Sequence, residues 1–309
     1  MSTFQNTIDK VWRRLEPTPP AALALLADYT AGSGTMTLDY TSLAFNGVQP
    51  GAILSIGLNQ VRVLGVPNGG TGVTSVVGGQ QGSTDANVDY DASPVPLAFI
   101  NPRFTPYDIS VAINDELQAL TTPKQGLGKI DTFDTNFIPV YNGYDLGPNF
   151  DSVRSRVLEI SFALPAPQRA NPLIRRGDYR VIRATNQPGI FPNGNGVIIY
   201  RDAFVGFPIH ITFIAPFTPL VNLTDDLLTV AGVPVYMQDI VDMGAELRLA
   251  PDREIDRNSL NFQRDPRKAP EVPATAVMNS ANALQRRYMG RIDDEASNLK
   301  RAYRQSEGW

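Results

Sequence analysis

Apolar residues near the start of the chain recur at helical spacing. The pattern predicts a short amphipathic helix over residues 3–16, with Ser2 or Thr3 at its cap and a proline-rich stretch after it. Its apolar stripe comprises Phe4, Ile8, Val11, Trp12 and Leu15. Because a helix set off by prolines rarely folds alone, we expect it to pack either on its own domain or on a neighbouring molecule.

Alternating apolar and polar residues then replace the helical period. Residues 33–98 form a run of short strand patterns separated by Gly, Pro and Asn clusters, which favours a small barrel or sandwich. Between 99 and 122 the helical period returns behind Pro106, a residue suited to the first turn of a helix. The predicted apolar face of this helix comprises Ile109, Ala112, Ile113, Leu117 and Leu120.

A second set of strand patterns covers about 130–240, and Asn193–Gly196 within it is a strong hairpin signal. A polar, proline-punctuated stretch follows at 251–275, and the chain closes with a helix over about 275–304. The stripe of this last helix comprises Leu284, Tyr288, Ile292, Ala296, Leu299 and Tyr303. We expect the helix to reach a partner as an arm or, alternatively, to fold back on its own sheet.

These patterns together predict an α+β chain that is mainly β, with small β-barrel or sandwich domains and helical N- and C-terminal arms. We divide it into four regions. They are an N-terminal helix with a proline linker (1–32), a β-barrel-like domain with a following helix (33–125), a second β-rich region (126–250), and a polar strap with a C-terminal helical arm (251–309).

Composition narrows the chemistry available to the chain. It has no cysteine and one histidine, His210, so thiolate catalysis and cysteine-ligated metals are excluded and imidazole chemistry has one candidate. His210 lies in a strand pattern, where we expect it to be hydrogen-bonded or to face solvent. The net charge of −4 does not support an electrostatic clamp on nucleic acid, and the apolar stretches are too short to span a membrane.

Two further motifs resemble functional sites without fitting them. The glycine-rich run 68–84 lacks the Lys-Ser/Thr ending of a phosphate-binding loop, so we interpret its glycines as tight turns. Three carboxylate pairs could in principle hydrolyse sugars, but we expect them to lie on opposite strand faces, to cap a turn, or to face solvent. They are Asp131 with Asp134, Asp225 with Asp226, and Asp293 with Asp294. We therefore predict no enzyme activity, no catalytic residue, no cofactor and no metal site.

One part of the sequence resembles a family of virion proteins. The pattern of that family has a strand with Thr and Asp, then a turn followed by Gly-x-Ile-x-Ile, a Val-x-Val strand, and a Val-Val strand that ends in a glycine loop. A Pro-Val exit and the segment NPRFTPYDISVAINDELQAL follow. The corresponding residues are Thr37–Asp39, Gly51–Ile56, Val61–Val63, Val76–Gly82, Ala92–Val95 and 101–120. This arrangement is similar to the head-to-tail connector, or adaptor and neck, proteins of tailed bacteriophages, particularly phages of actinobacteria.

The resemblance implies a mechanical role in the virion, assembled in the host cytoplasm. It implies a closed ring of twelve or six copies that bridges the portal protein and the downstream tail or neck proteins. Double-stranded DNA would pass through the ring without sequence recognition, along a mildly acidic wall. The helical arms would then make the contacts between subunits and with the portal. We expect these contacts from Phe4, Ile8, Val11, Trp12, Leu15, Leu284, Tyr288, Ile292, Leu299 and Tyr303.

Two other classes of protein remain open at this stage. The first is a tail-tip, fibre or baseplate protein that binds host carbohydrate, and exposed Trp or Tyr side chains in a groove would favour it. The second is a carboxylate-dependent depolymerase, which would need two acidic side chains about 5–10 Å apart at the base of a cleft.

Overall fold

A computed structural model describes residues 3–16, 20–40, 48–65, 72–89, 96–138, 143–163, 173–200, 206–250 and 275–303. The polar strap, Ser2 and the start of the glycine-rich run lie outside these residues. The predicted α+β class is confirmed, and helix and strand are nearly equal at 31% and 29%.

The helices are α1 (Phe4–Leu15), α2 (Pro106–Leu120), α3 (238–250) and α4 (Thr275–Ala302). The strands are β1 (Ala22–Ala24), β2 (Thr35–Thr37), β3 (Ile53–Ile56), β4 (Asn59–Gly65), β5 (Val73–Val77), β6 (Leu97–Ile100), β7 (Lys129–Asn136), β8 (Tyr144–Asp145), β9 (Arg156–Phe162), β10 (Tyr179–Ile182), β11 (Gly196–Ile199) and β12 (Pro208–Ala215).

The first sheet is antiparallel and curls into the predicted small barrel. Its six strands follow the order β1-β6-β3-β4-β5-β2, and a bridge between Leu25 and Leu38 joins its two edges. Strand β1 belongs to the region that we predicted to be a linker, so that region contributes part of the barrel wall. Alternate residues point inward and form an aliphatic core, as the strand pattern predicts. Closure leaves the barrel with few unpaired strand edges.

Two three-stranded antiparallel sheets form the second β-rich region. One has the order β7-β12-β9 and the other β10-β11-β8, and both contribute side chains to one aromatic-rich core. The predicted hairpin exists as the antiparallel pair β10–β11, but a loop over 183–195 connects the two strands. Asn193–Gly196 lies where this loop enters β11. There the buried amide of Asn195 donates a hydrogen bond to the carbonyl of Phe150.

The helices pack together in a third core beside the barrel and the two sheets. The predicted helices are confirmed in position: the Thr3 side chain caps α1, and Thr105 and Asp108 form a capping box at the start of α2. Pro106 is the first residue of α2, as expected. The core of this layer combines side chains from all four helices and from the 217–233 segment. Helix α3 was not predicted, although it lies at the centre of the layer.

Candidate functional site

The apolar stripe of α1 faces the chain's own helical core. Four of its predicted contact residues are at most 3% exposed: Phe4, Ile8, Val11 and Leu15. Trp12 is partly buried and packs edge-on against Phe99 of β6, with ring centroids 4.6 Å apart. Of the two placements considered, the structure has the helix on its own domain. These side chains could contact a partner only if α1 left the body, so that role stays a prediction.

The stripe of α4 contacts the body over a narrower surface. Tyr288 and Ile292 are buried in the helical core, whereas Leu284, Leu299 and Tyr303 are only partly covered. The helix is therefore folded back on its own chain in this structure, where Tyr288 bonds Glu116 of α2 and Arg291 bonds Asp239 of α3. Whether its stripe also contacts another subunit stays a prediction.

A buried carboxylate connects three of the helices. Glu116 of α2 is 2% exposed and accepts hydrogen bonds from the Tyr288 hydroxyl on α4 and from Arg248 Nε on α3, the latter at 3.0 Å. Gly244 of α3 leaves room for it, because a Cβ at that position would overlap the Glu116 side chain. Burial, with the hydrogen bond and charge of Glu116, raises the pKa of Tyr288, so its hydroxyl stays a donor at neutral pH.

Helix α3 carries charged side chains that pair with each of the other three helices. Sequence reasoning missed it because a charged residue and a glycine, Asp242 and Gly244, interrupt its buried run 240–245. The spacing of Met237, Ile240, Val241 and Ala245 was the available signal. The ion pairs are Asp239–Arg291 to α4, Asp242–Lys10 and Glu246–Arg14 to α1, and Arg248–Glu116 to α2.

The single histidine is hydrogen-bonded on the outer face of the β7-β12-β9 sheet, as predicted for a strand histidine. His210 Nδ1 lies 2.5 Å from Asp134 Oδ1, and Ser161 is directly opposite His210 on the neighbouring strand. These three residue types occur in hydrolase triads. Within the described part of the chain, however, His210 hydrogen-bonds Asp134 and not Ser161, and all three residues lie in a paired strand ladder. The hydrogen bond between base and nucleophile that a triad needs, here between His210 and Ser161, is therefore missing.

The carboxylate pairs occupy the structural positions expected of them. Asp131 and Asp134 fall on opposite faces of β7, because they are three positions apart and strand side chains alternate between the two faces. Asp225 accepts hydrogen bonds from the N–H groups of Asn222 and Val221, which lower its pKa, and Asp226 accepts from the N–H of Leu228. Asp293 and Asp294 are exposed on α4.

Two kinds of feature are absent from the residues that the structure describes. No group of three or more His, Asp or Glu side chains is arranged to hold a metal ion. None of the helices there combines the length and apolar character needed to cross a membrane.

One exposed apolar surface lies on the outside of the barrel, and we call it the barrel surface. Val73 and Val77 project outward from β5, as does Ser75 between them, while Thr74 and Val76 face the core. Leu64 lies beside them at an irregularity of β4, and Leu26 packs near Gly72 at the start of β5. The barrel surface thus comprises Leu26, Leu64, Val73 and Val77, all at least 44% exposed. Exposed aliphatic side chains on one side of a sheet make this surface a candidate for an interaction site.

A second exposed apolar surface lines a groove between α4 and β7, and we call it the groove surface. The groove encloses about 720 Å³, and the 228–237 segment forms its third side. Burial, together with the nearby Glu159 and Tyr236, raises the pKa of Tyr303. The main apolar residues of the groove surface are Ile130, Leu228, Tyr236, Leu299 and Tyr303.

Comparisons with known proteins give no relative for this chain. No protein-family model matches it, and neither the curated proteins nor the solved structures contain a significant match.

Proposed function

We propose that the chain is a structural subunit of a ring in the head-to-tail connector of a tailed bacteriophage. In this role it bridges the portal protein and the downstream tail or neck proteins, in a ring of twelve or six copies within the virion. The sequence resemblance over residues 33–120 suggests the family, and the arrangement of exposed apolar surfaces supports a ring.

The observation that carries the proposal is that one chain bears two different apolar surfaces. The barrel surface is formed by β4, β5 and the neighbouring Leu26, whereas the groove surface is formed by α4, β7 and the 228–237 segment. A subunit in a cyclic ring contacts one neighbour with one surface and the other neighbour with a different surface. Two distinct surfaces fit this heterologous arrangement better than a two-fold dimer, which uses one self-complementary surface.

The charge of the chain fits a passage for DNA. A net charge of −4 gives the ring a mildly acidic character, and an acidic wall repels the phosphates of the duplex. DNA could then slide through the ring without being held, whereas a basic wall would bind it.

Oligomer mass tests the proposal. We expect native mass spectrometry of the purified chain to show an oligomer of fixed copy number. Val77→Asp on the barrel surface and Leu228→Asp on the groove surface should each raise the dissociation constant of the oligomer at least about tenfold. The reason is that each substitution places a charge in an apolar contact. Val153→Asp is the matched control, since Val153 is 70% exposed and belongs to neither surface. A wild-type monomer, or an oligomer that tolerates both substitutions, would contradict the proposal.

One observation favours a second candidate function, the binding of host carbohydrate by a tail-tip, fibre or baseplate protein. Tyr236 and Tyr303 both line the groove, and tyrosine rings in a groove can stack on sugars. If this function is correct, glycan-array binding should be lost in Tyr236→Ala while the oligomer mass stays the same.

A further inference from the structure

We propose that α4 is exchanged between copies in the assembled ring. The α4 of each copy would occupy, on α2 and α3 of the next copy, the place that it occupies on its own chain in this structure. The inference rests on the proposed ring, because exchange needs a neighbouring copy.

The first argument is that α4 can leave its own body without opening the other cores. Its 28 residues contribute side chains to the helical core, where Tyr288 and Ile292 are the buried ones among those described. The cores of the barrel and of the two three-stranded sheets contain no described residue of α4. Loss of the helix would therefore expose one face of α2 and α3 and leave the two β cores intact.

The second argument is that the contact of α4 is specific and is made with elements distant in sequence. The Tyr288 hydroxyl donates to Glu116 of α2, while Arg291 Nε donates to Asp239 of α3 at 3.0 Å. Arg291 also donates a hydrogen bond to the Tyr236 carbonyl at 2.9 Å. Within α4, its guanidinium donates a hydrogen bond to Glu295. Every copy presents the same acceptors in the same geometry. A neighbouring copy therefore offers α4 an equivalent site.

The third argument is the length of sequence between the two helices. Helix α3 extends to residue 250 and α4 begins at Thr275, and a chain of that length can span at most roughly 80 Å. This reach exceeds the width of a small domain, so an adjacent subunit lies within it. Exchange replaces each contact within a chain by the same contact between chains, which is why segment swapping is a low-cost route to assembly.

Cross-linking between chosen cysteines tests the exchange, and the natural absence of cysteine means that only the introduced thiols react. Tyr236 and Asn298 line the same groove on the body side and the α4 side, and both are exposed. Copies carrying only Tyr236→Cys would be co-expressed with copies carrying only Asn298→Cys, and the oligomer would be treated with a short bis-maleimide. We expect covalent pairs that contain one copy of each kind. The variant with both cysteines should give a ladder of linked chains on a denaturing gel.

Controls separate exchange from simple proximity in a ring. Each single-cysteine variant alone should give no linked pair, and Val153→Cys co-expressed with Asn298→Cys should give none either. If an oligomer forms but the doubly substituted chain links only within itself, the exchange is wrong and the ring survives. If no oligomer forms under any condition, the proposed ring and the exchange are both wrong.

Discussion

At the scale of single residues, the buried Tyr29 joins two segments of the barrel domain that are distant in sequence. Tyr29 is 1% exposed, and its hydroxyl donates a hydrogen bond to Asp85 Oδ1 at 2.9 Å. The other oxygen of Asp85 accepts from the N–H of Gly32 at 2.8 Å. Gly78 packs directly against this carboxylate, and a Cβ there would overlap it. The glycines after β5 therefore serve packing and turns, as predicted from the lack of a phosphate-binding signature.

Replacing Gly78 by alanine tests this packing. We expect Gly78→Ala to lower the free energy of unfolding by about 1–3 kcal/mol, because the added methyl group displaces Asp85 from its two donors. Gly177→Ala is the matched control, since nothing lies within 4 Å of its would-be Cβ and its backbone conformation suits alanine. Urea denaturation of the two variants gives the comparison. Equal stabilities would show that Gly78 is not confined by Asp85.

The same tyrosine gives a pH dependence with a defined sign. Burial, and then the hydrogen bond and charge of Asp85, raise the pKa of Tyr29 from 10.0 to about 12. The pKa of Tyr29 is higher in the folded state than in the unfolded state. The stabilisation by its protonated hydroxyl is therefore complete below pH 10 and is lost as the pH rises towards 12. Between pH 10 and pH 12 the free energy of unfolding should fall by roughly 1–2 kcal/mol less in Tyr29→Phe than in the wild type. Urea denaturation at each pH measures this difference. Parallel losses in the two proteins would contradict the assignment.

At the scale of elements, the sequence predicts helices and strands that have one buried face. The predictions are correct for the apolar stripes of α1, α2 and α4 and for the alternation of β5. Each of these elements has one buried face and one face exposed to solvent. Helix α3 is missed because Asp242 and Gly244 interrupt its apolar stripe. Strand β1 is missed because three residues after a proline cluster carry too little pattern, although pairing with β6 fixes them in the sheet.

The position of α1 on its own body gives a prediction at this scale. Ile8 is fully buried in the helical core, so Ile8→Ala should lower the free energy of unfolding by about 2–4 kcal/mol in a single transition. Arg13→Ala, at an exposed position of the same helix, should change it by less than about 0.5 kcal/mol. If α1 is instead a detached arm in solution, calorimetry will show the two variants melting alike.

At the scale of the whole molecule, the candidate surfaces could not be predicted from the sequence. Val73 and Val77 alternate with buried residues as in any strand, and only the packing of the layers shows that nothing in the described structure covers them. The groove combines residues from β7, the 228–237 segment and α4, which are far apart in sequence. Conversely, four of the five predicted contact residues of α1 are buried by their own chain, because a stripe that can bind a partner can equally complete a core.

Imaging of the particles that contain this chain tests the central claim most directly. Cryo-electron microscopy of assembled particles, with the chain identified by a fused tag, should show a closed ring of twelve or six copies at the single vertex where head and tail meet. Density for a trimeric fibre away from that vertex, or a chain that occurs only as a free monomer, would contradict it.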